Sequence, residues 1–190
     1  MQRRSPAPRS ARRSRSSAGD DAVSMLMQDH KKVQQLFRDF EKAHDQEDDD
    51  RCREIAQLVC TELEMHTTLE EELFYPAARD VLGEDEELID EAEVEHQSAK
   101  ELIAQLRGMD PSDPKFAPTF TVLAEYVKHH IKEEEGEIFP KAQKARLDVD
   151  LLGQQMQARK SELSGETEVG EDRPEREDQD RPRSRARVDG

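Results

Sequence analysis

The chain has 190 residues, 39% of them charged and 33% hydrophobic, with a formal net charge of −16. One lean core beneath a heavily charged surface fits that balance. The negative charge, an aromatic content of 4% and the absence of Trp argue against a nucleic-acid binder.

Residues 1–19 form a basic arm in which Arg3, Arg4, Arg9, Arg12, Arg13 and Arg15 alternate with Ser and Pro and leave no apolar face. Disorder is the expectation for the arm, with an organellar transit peptide as the lesser alternative. It has no apolar run of the secretory kind, and no part of the chain approaches the ~18 apolar residues of a membrane span.

A single domain is expected over 20–164, and its periodicity is helical throughout. In the first helix Leu26, His30, Val33, Phe37, Phe40 and His44 recur at steps of four and three. A second, from about Arg51, places Ile55, Val59, Glu62, His66, Leu69, Glu70, Leu73 and Ala77 on one face. Cys52 and Cys60 fall within it, eight residues apart. About 12 Å of helix rise separates them, too far for a disulfide, so they read as free thiols of a reducing cytoplasm.

Gly83 and its acidic neighbours separate this helix from a third carrying Leu88, Ala92, His96, Ala99, Ile103 and Leu106. Pro111 and Pro114 break the pattern, with Ser112 or Asp113 as the expected N-cap and Pro114 in the first turn of a fourth helix. That helix carries Phe116, Phe120, Leu123, Val127, His130 and Glu134. A weaker fifth, from Leu147 to about Leu163, offers Leu151, Leu152 and Met156 for packing. Residues 165–190 are a mixed-charge tail with almost no apolar content, expected to be disordered. No period-2 alternation supports a strand. The prediction is an all-α, up-down-up-down four-helix bundle with a short C-terminal helix.

The bundle is internally repeated. His66-Thr-Thr-Leu-Glu70-Glu71 and His130-Ile-Lys-Glu-Glu134-Glu135 share the pattern H-x3-E-E, and Pro76 and Pro140 each follow the His by ten residues. His30 precedes its H-x3-E by 36 residues and His96 precedes its own by 34. Two helical hairpins thus each supply one lone His and one H-x3-E. Residues i and i+4 share a helix face, so each His-Glu pair can reach a common point. Two carboxylates converging in an apolar core repel one another and lose hydration, a conflict that cations remove.

A lone inward His is more often a hydrogen-bonded core residue than a ligand, and H-x3-E alone is common in acidic helices. Four such His in repeat-related positions, two with Glu at i+4, outweigh that reading. His44 lies about 21 Å along the helix from His30, too far for the same centre. His129 points away from the face of His130 and has Met65 as its repeat counterpart. Glu62 and Glu93, one turn before His66 and His96, read as boundary acids, with acceptance from an imidazole N–H as the alternative.

These motifs, together with Glu-Glu-Leu-Phe-Tyr-Pro and Glu-Ile-Phe-Pro after them, resemble the hemerythrin-like HHE cation-binding family over about residues 22–160. The resemblance implies a non-haem di-iron centre with His30, His66, His96 and His130 as terminal ligands. Glu70 and Glu134 would be its bridging carboxylates. It also implies an open position for O₂ or a related small oxidant. Oxygen carriers of the family place a further His four residues after the third-helix His, where this chain has Lys100, and commonly have Trp in the pocket. That departure points away from reversible O₂ carriage. Lys100 itself is expected at the bundle edge.

Two functions stay open: a module that binds or senses O₂, NO or iron, and an enzyme that decomposes peroxide or reduces nitrogen oxides. A ferritin-like oxidase is disfavoured, because only Glu93-x-x-His96 has the Glu-x-x-His form. Imidazole and carboxylate ligands also suit zinc or manganese. The expected partner is a small ligand rather than nucleic acid or membrane, and the expected state is a monomer.

Overall fold

The computed structural model describes residues 21–165. The basic arm expected over 1–19 and all but the first residue of the tail expected over 165–190 lie outside them. Helices α1 (Ala22–Asp45), α2 (Asp49–Leu69), α3 (Tyr75–Leu82), α4 (Glu87–Gly108), α5 (Phe116–Glu133), α6 (Phe139–Lys144) and α7 (Val149–Leu163) follow in order, with no strand among the described residues. α3 continues the rod of α2 through a π-turn at Glu70–Phe74, and α6 continues α5 through a second at Glu134–Ile138. The four rods α1, α2–α3, α4 and α5–α6 form the predicted up-down-up-down bundle, and α7 packs across α1 and α2. No helix among the described residues is long and apolar enough to cross a membrane.

Local chemistry sets the helix ends. Asp21, Asp48 and Asp148 cap α1, α2 and α7, accepting from Ser24 N at 3.1 Å, Arg51 N at 3.0 Å and Leu151 N at 3.2 Å. α2–α3 stops at Gly83, whose φ of 57° suits a residue without a Cβ. α5 begins later than its sequence suggests. Asp113 is spent on a turn, accepting from Lys115 N at 2.8 Å, so Pro114 stays outside the helix. Pro118 then occupies the first turn, where its missing N–H has no partner to lose.

The core has two apolar layers. Phe37, Phe40, Ile55, Val59, Ile103, Phe120 and Leu123 fill one. Leu26, Leu69, Phe74, Tyr75, Ile89, Ile138, Phe139 and Met156 fill the other. In each of the four rods the inward His lies in sequence between residues of the two layers, so the polar groups form a seam across the middle of the bundle. Leu152 and Met156 bury as expected, but Leu151 faces outward and is 53% exposed. Cys52 and Cys60 are buried free thiols, and burial pushes Cys60 up to about 11.

The π-turns alter the register that periodicity predicts. Leu73 and Ala77 were expected on the inner face, yet Phe74, Tyr75 and Ala78 are the buried residues. Tyr75 N donates to Glu70 O and Phe139 N to Glu134 O, i+5 bonds that insert one residue into each helix. Pro76 and Pro140 supply the cause. Each lacks an N–H and crowds the carbonyl one turn earlier, so the turn widens.

Candidate metal centre

All six residues singled out from the sequence converge, and all are buried: His30, His66, His96 and His130, with Glu70 and Glu134 fully enclosed. The imidazoles form two pairs across the bundle. His30 Nε2 faces His66 Nε2 at 3.1 Å, and His96 Nε2 faces His130 Nε2 at 3.1 Å. Glu70 Oε2 lies 3.1 Å from His66 and 3.3 Å from His96, one imidazole of each pair. Glu134 Oε2 lies 3.2 Å from His30 and 3.3 Å from His130, again one of each. Both carboxylates therefore span the two pairs. Ligand atoms of His30, His66, Glu70 and Glu134 lie within 4.8 Å of one another, and so do those of Glu70, His96 and His130.

The outer ring nitrogens are held by a further set of acids that sequence reasoning missed. His30 Nδ1 meets Glu135 Oε1 at 3.0 Å, His96 Nδ1 meets Glu71 Oε1 at 3.0 Å, and His130 Nδ1 meets Glu95 Oε2 at 2.9 Å. Asp29 approaches His66 Nδ1 at 3.9 Å, beyond hydrogen-bond length. These acids obey the repeat. Glu71 and Glu135 follow the two H-x3-E motifs, while Asp29 and Glu95 precede the two lone His. The second Glu of each H-x3-E-E was the legible signal. Glu62, half-buried and lining the central cavity, pairs with Lys32 at 2.6 Å, and Glu93 turns outward to Arg79 at 3.0 Å. Lys100 is at the bundle edge, where its Nζ lies 2.6 Å from both oxygens of Glu71.

The donor set fits a metal. An imidazole that donates Nδ1–H to a carboxylate presents a lone pair at Nε2. Two lone pairs at 3.1 Å repel unless a proton or a shared cation stands between them. Both oxygens of Glu70 and Oε2 of Glu134 are buried without a hydrogen-bond donor, an uncompensated cost in an apolar core. Nitrogen and oxygen ligands sit about 2.1 Å from a transition metal, hence about 3.0–3.4 Å from one another, which is the spacing seen here.

Electrostatics in the metal-free protein tell the same story. Burial and the neighbouring Glu134 raise Glu70 to about 8. Burial also works against charge on Glu134, His130 and His30, but their mutual attraction outweighs it. Glu134 is held well below the usual carboxylate range, while His130 and His30 are raised. Burial and the charge of His130 press His96 down to about 4. Protons thus occupy a site built for positive charge.

Tyr75 is a further site residue that the sequence did not disclose. Its buried hydroxyl donates to Glu134 Oε1 at 2.9 Å and lies 3.2 Å from His96 Nε2. In an uninterrupted α-helix a residue nine places after His66 would point about 180° away. The π-turn inserts one residue and swings it back to about 80°. Phe139, its repeat counterpart, stacks on His30 with ring centroids 5.8 Å apart.

A cavity of about 20 Å³ adjoins the four imidazoles, walled largely by Val33, Leu63, Ala99, Val127 and Ile131. It has room for roughly one water-sized molecule. His44 and His129 lie outside the centre: His44 stacks on Phe40, and His129 is 59% exposed beside Glu133.

Comparison with known proteins identifies the family. The chain is 31% identical over 128 residues to a DNA nickase of Nostoc sp., an alignment covering 64% of this chain and 34% of that protein. It is 31% identical over 116 residues to an uncharacterized hemerythrin-like protein of Schizosaccharomyces pombe, covering 60% of this chain and 56% of the relative. The aligned part is thus about a third to a half of each relative's length. A hemerythrin HHE cation binding domain-containing protein from Mycobacterium kansasii shares the fold, with a TM-score of 0.61 and 22% identity over 77% of this chain and 88% of that one. The family model of the hemerythrin HHE cation binding domain matches residues 21–142, and the chain belongs to that family.

Proposed function

We propose that the chain is a non-haem di-iron protein that binds or senses O₂ or NO, with His30, His66, Glu70, His96, His130 and Glu134 as its metal ligands. One observation carries this reading: two imidazole pairs, each with facing Nε2 atoms 3.1 Å apart, are spanned by two buried carboxylates. Glu70 and Glu134 would bridge the ions, and each His pair would serve one of them. The irons supply a redox-active Lewis-acid centre. The chain's own part is to fix the imidazoles through Glu71, Glu95 and Glu135, to shut out bulk water with its two apolar layers, and to admit only a very small molecule. The cavity of about 20 Å³ suits a diatomic or a peroxide and little else.

A second reading, peroxide decomposition, draws support from Tyr75. Its hydroxyl is a buried hydrogen-bond donor touching Glu134 and His96. Breaking an O–O bond would leave anionic oxygen, which a positioned O–H stabilises; burial and the neighbouring Glu70 and Glu134 hold Tyr75 well above the ordinary tyrosine range, so it would donate a hydrogen bond and keep its proton. Buried free Cys52 and Cys60 suit a reducing cytoplasm. The net charge of −16 supports a small-molecule partner over nucleic acid, and a monomer is the proposed state.

Metal analysis and an absorption spectrum of the aerobically purified protein, followed by titration with O₂, NO and peroxide, test the proposal. Two irons per chain with an oxo-bridge spectrum that responds to a diatomic fit the binding reading. Steady consumption of peroxide would move the protein to the enzyme class. Zinc, or a single ion, would refute the di-iron centre.

A further inference from the structure

The two halves of the bundle hold equivalent ligands, but their outer faces differ in one respect that the repeat makes visible. Beside the first half, Met25 and Asp29 of α1 and Met65, Leu69 and Leu73 of the second rod form a mostly apolar face. α7 covers it, burying Leu152 and Met156. The repeat-equivalent positions in the second half are Glu91, Glu95, His129, Glu133 and Glu137. They line or border a cavity of about 60 Å³ between α4, α5 and the second π-turn, and buried His130 and Glu134 form part of its wall.

Glu95 joins the surface to the interior. One of its oxygens lies 2.9 Å from Nδ1 of buried His130, and the other lies 3.6 Å from Nε2 of exposed His129. His129 Nε2 is also 3.2 Å from Glu133 Oε1. The ligand atoms of Glu95, His129 and Glu133 lie within 4.8 Å of one another. Behind them, Glu134 Oε2 is fully buried and accepts no hydrogen bond. One imidazole and a ladder of carboxylates therefore lead from solvent to a buried carboxylate oxygen that lacks a donor. The other cavity at the centre, whose lining includes Asp29, Glu62 and Glu95 among apolar side chains, is the smaller of the two, at about 20 Å³.

We infer that this face is the port through which Fe²⁺ reaches the buried centre, with Glu95, His129 and Glu133 as a transient outer site and Glu91 and Glu137 as its mouth. The inference rests on the reading of the buried cluster as a metal centre. Carboxylates replace the hydration shell of a hard cation one ligand at a time. The same negative charge concentrates the cation at the mouth.

The test is the rate at which the full-length apo protein takes up Co²⁺, followed by stopped-flow absorption, with Fe²⁺ uptake measured by its loss from a chromophoric chelator. The variant Glu91→Gln/Glu133→Gln/Glu137→Gln removes three charges from the port, one of them at the outer site, and leaves all six ligands proposed for the buried centre in place. The control Asp45→Asn/Asp50→Asn/Glu54→Gln removes three exposed charges at the far end of the bundle. The port variant should load about tenfold more slowly, with a weaker salt dependence, and reach the same final metal content. The control should stay within about twofold of the unmodified protein. Glu137→Gln alone, at an exposed position, should slow uptake in the same direction and keeps the test decisive if the triple variant is unstable. Equal rates in port variant and unmodified protein, or equal slowing in port and control variants, would overturn the port and leave the centre standing. No metal uptake by the unmodified protein would overturn the centre itself.

Discussion

Glu71 is not a proposed metal ligand, yet its removal should weaken metal binding. Its Oε1 lies 3.0 Å from His96 Nδ1, and Lys100 Nζ holds both its oxygens at 2.6 Å. Burial would raise its pKa, but Lys100 and His96 outweigh that and keep it lowered, so the acceptor is charged at neutral pH. Glu71→Ala removes the group that fixes the His96 tautomer, and Nε2 then spends part of its time protonated and unable to coordinate. Losing such an acceptor costs about 10–100-fold in metal affinity, or about 1.4–2.7 kcal/mol. Glu71→Gln keeps an acceptor oxygen without the charge and should fall at the low end. Lys100→Met breaks only a half-exposed ion pair, worth about 0–1 kcal/mol. Glu135→Ala should repeat the loss at His30, where the contact is also 3.0 Å. Chelator competition at fixed pH measures the affinities, and apo melting curves check the fold. An affinity for Glu71→Ala within about twofold of the parent, with the fold intact, would refute this account of how His96 is held.

Stoichiometry should be two irons per chain, reduced by His66→Ala and unchanged by His44→Ala; equal losses from both would mean the ligands are misassigned. The metal-free protein should lose stability as pH rises. Glu70 and His30 are raised, so what they contribute is complete at low pH and is lost through their folded pKa values, about 8 for Glu70. Glu134 is held low and keeps its contribution until strongly acid pH, so the melting-temperature gap between iron-loaded and apo protein should widen from about pH 6 to about pH 9. A gap that narrows over that range would contradict proton-for-metal exchange. Tyr75→Phe should leave iron content intact and slow peroxide consumption about 10²-fold if its hydroxyl stabilises the anionic oxygen by a hydrogen bond; an unchanged rate would remove Tyr75 from that role.

Much of the centre was legible because its residues obey one period. His30, His66, His96 and His130 sit on apolar stripes, and the i+4 Glu follows from 3.6 residues per turn. The supporting acids were less legible, since a Glu-rich chain offers many surface acids with the same spacing. Glu62 and Glu93 lie one turn before a His yet pair with Lys32 and Arg79, while Glu71 and Glu135 reach the imidazoles of His96 and His30. Tyr75 was illegible for a different reason. A wheel at 100° per residue places it opposite His66, and only the i+5 hydrogen bond ahead of Pro76 brings it to the centre. The late start of α5 reflects local competition, because Asp113 stabilises a turn instead of capping the helix.

The repeat supplies the six candidate ligands, and its exceptions make the two halves chemically unequal. Beside His96, Tyr75 places a hydroxyl hydrogen-bonded to Glu134; at the equivalent place beside His30, Phe139 offers a ring face and no proton. After His96, Lys100 fixes Glu71; four residues after His30 stands Gln34, which carries no charge to fix Glu135. α7 closes the outer face of the first half, while the second half opens to an acidic cavity. A strictly symmetric site would give both ions the same affinity and the same proton supply. These substitutions instead concentrate the hydroxyl hydrogen bond and the acidic cavity on the half that contains His96, His130 and Glu134. On the proposed reading, an anionic oxygen ligand would find its hydrogen-bond donor, Tyr75, on that side, with Phe139 beside His30 offering none.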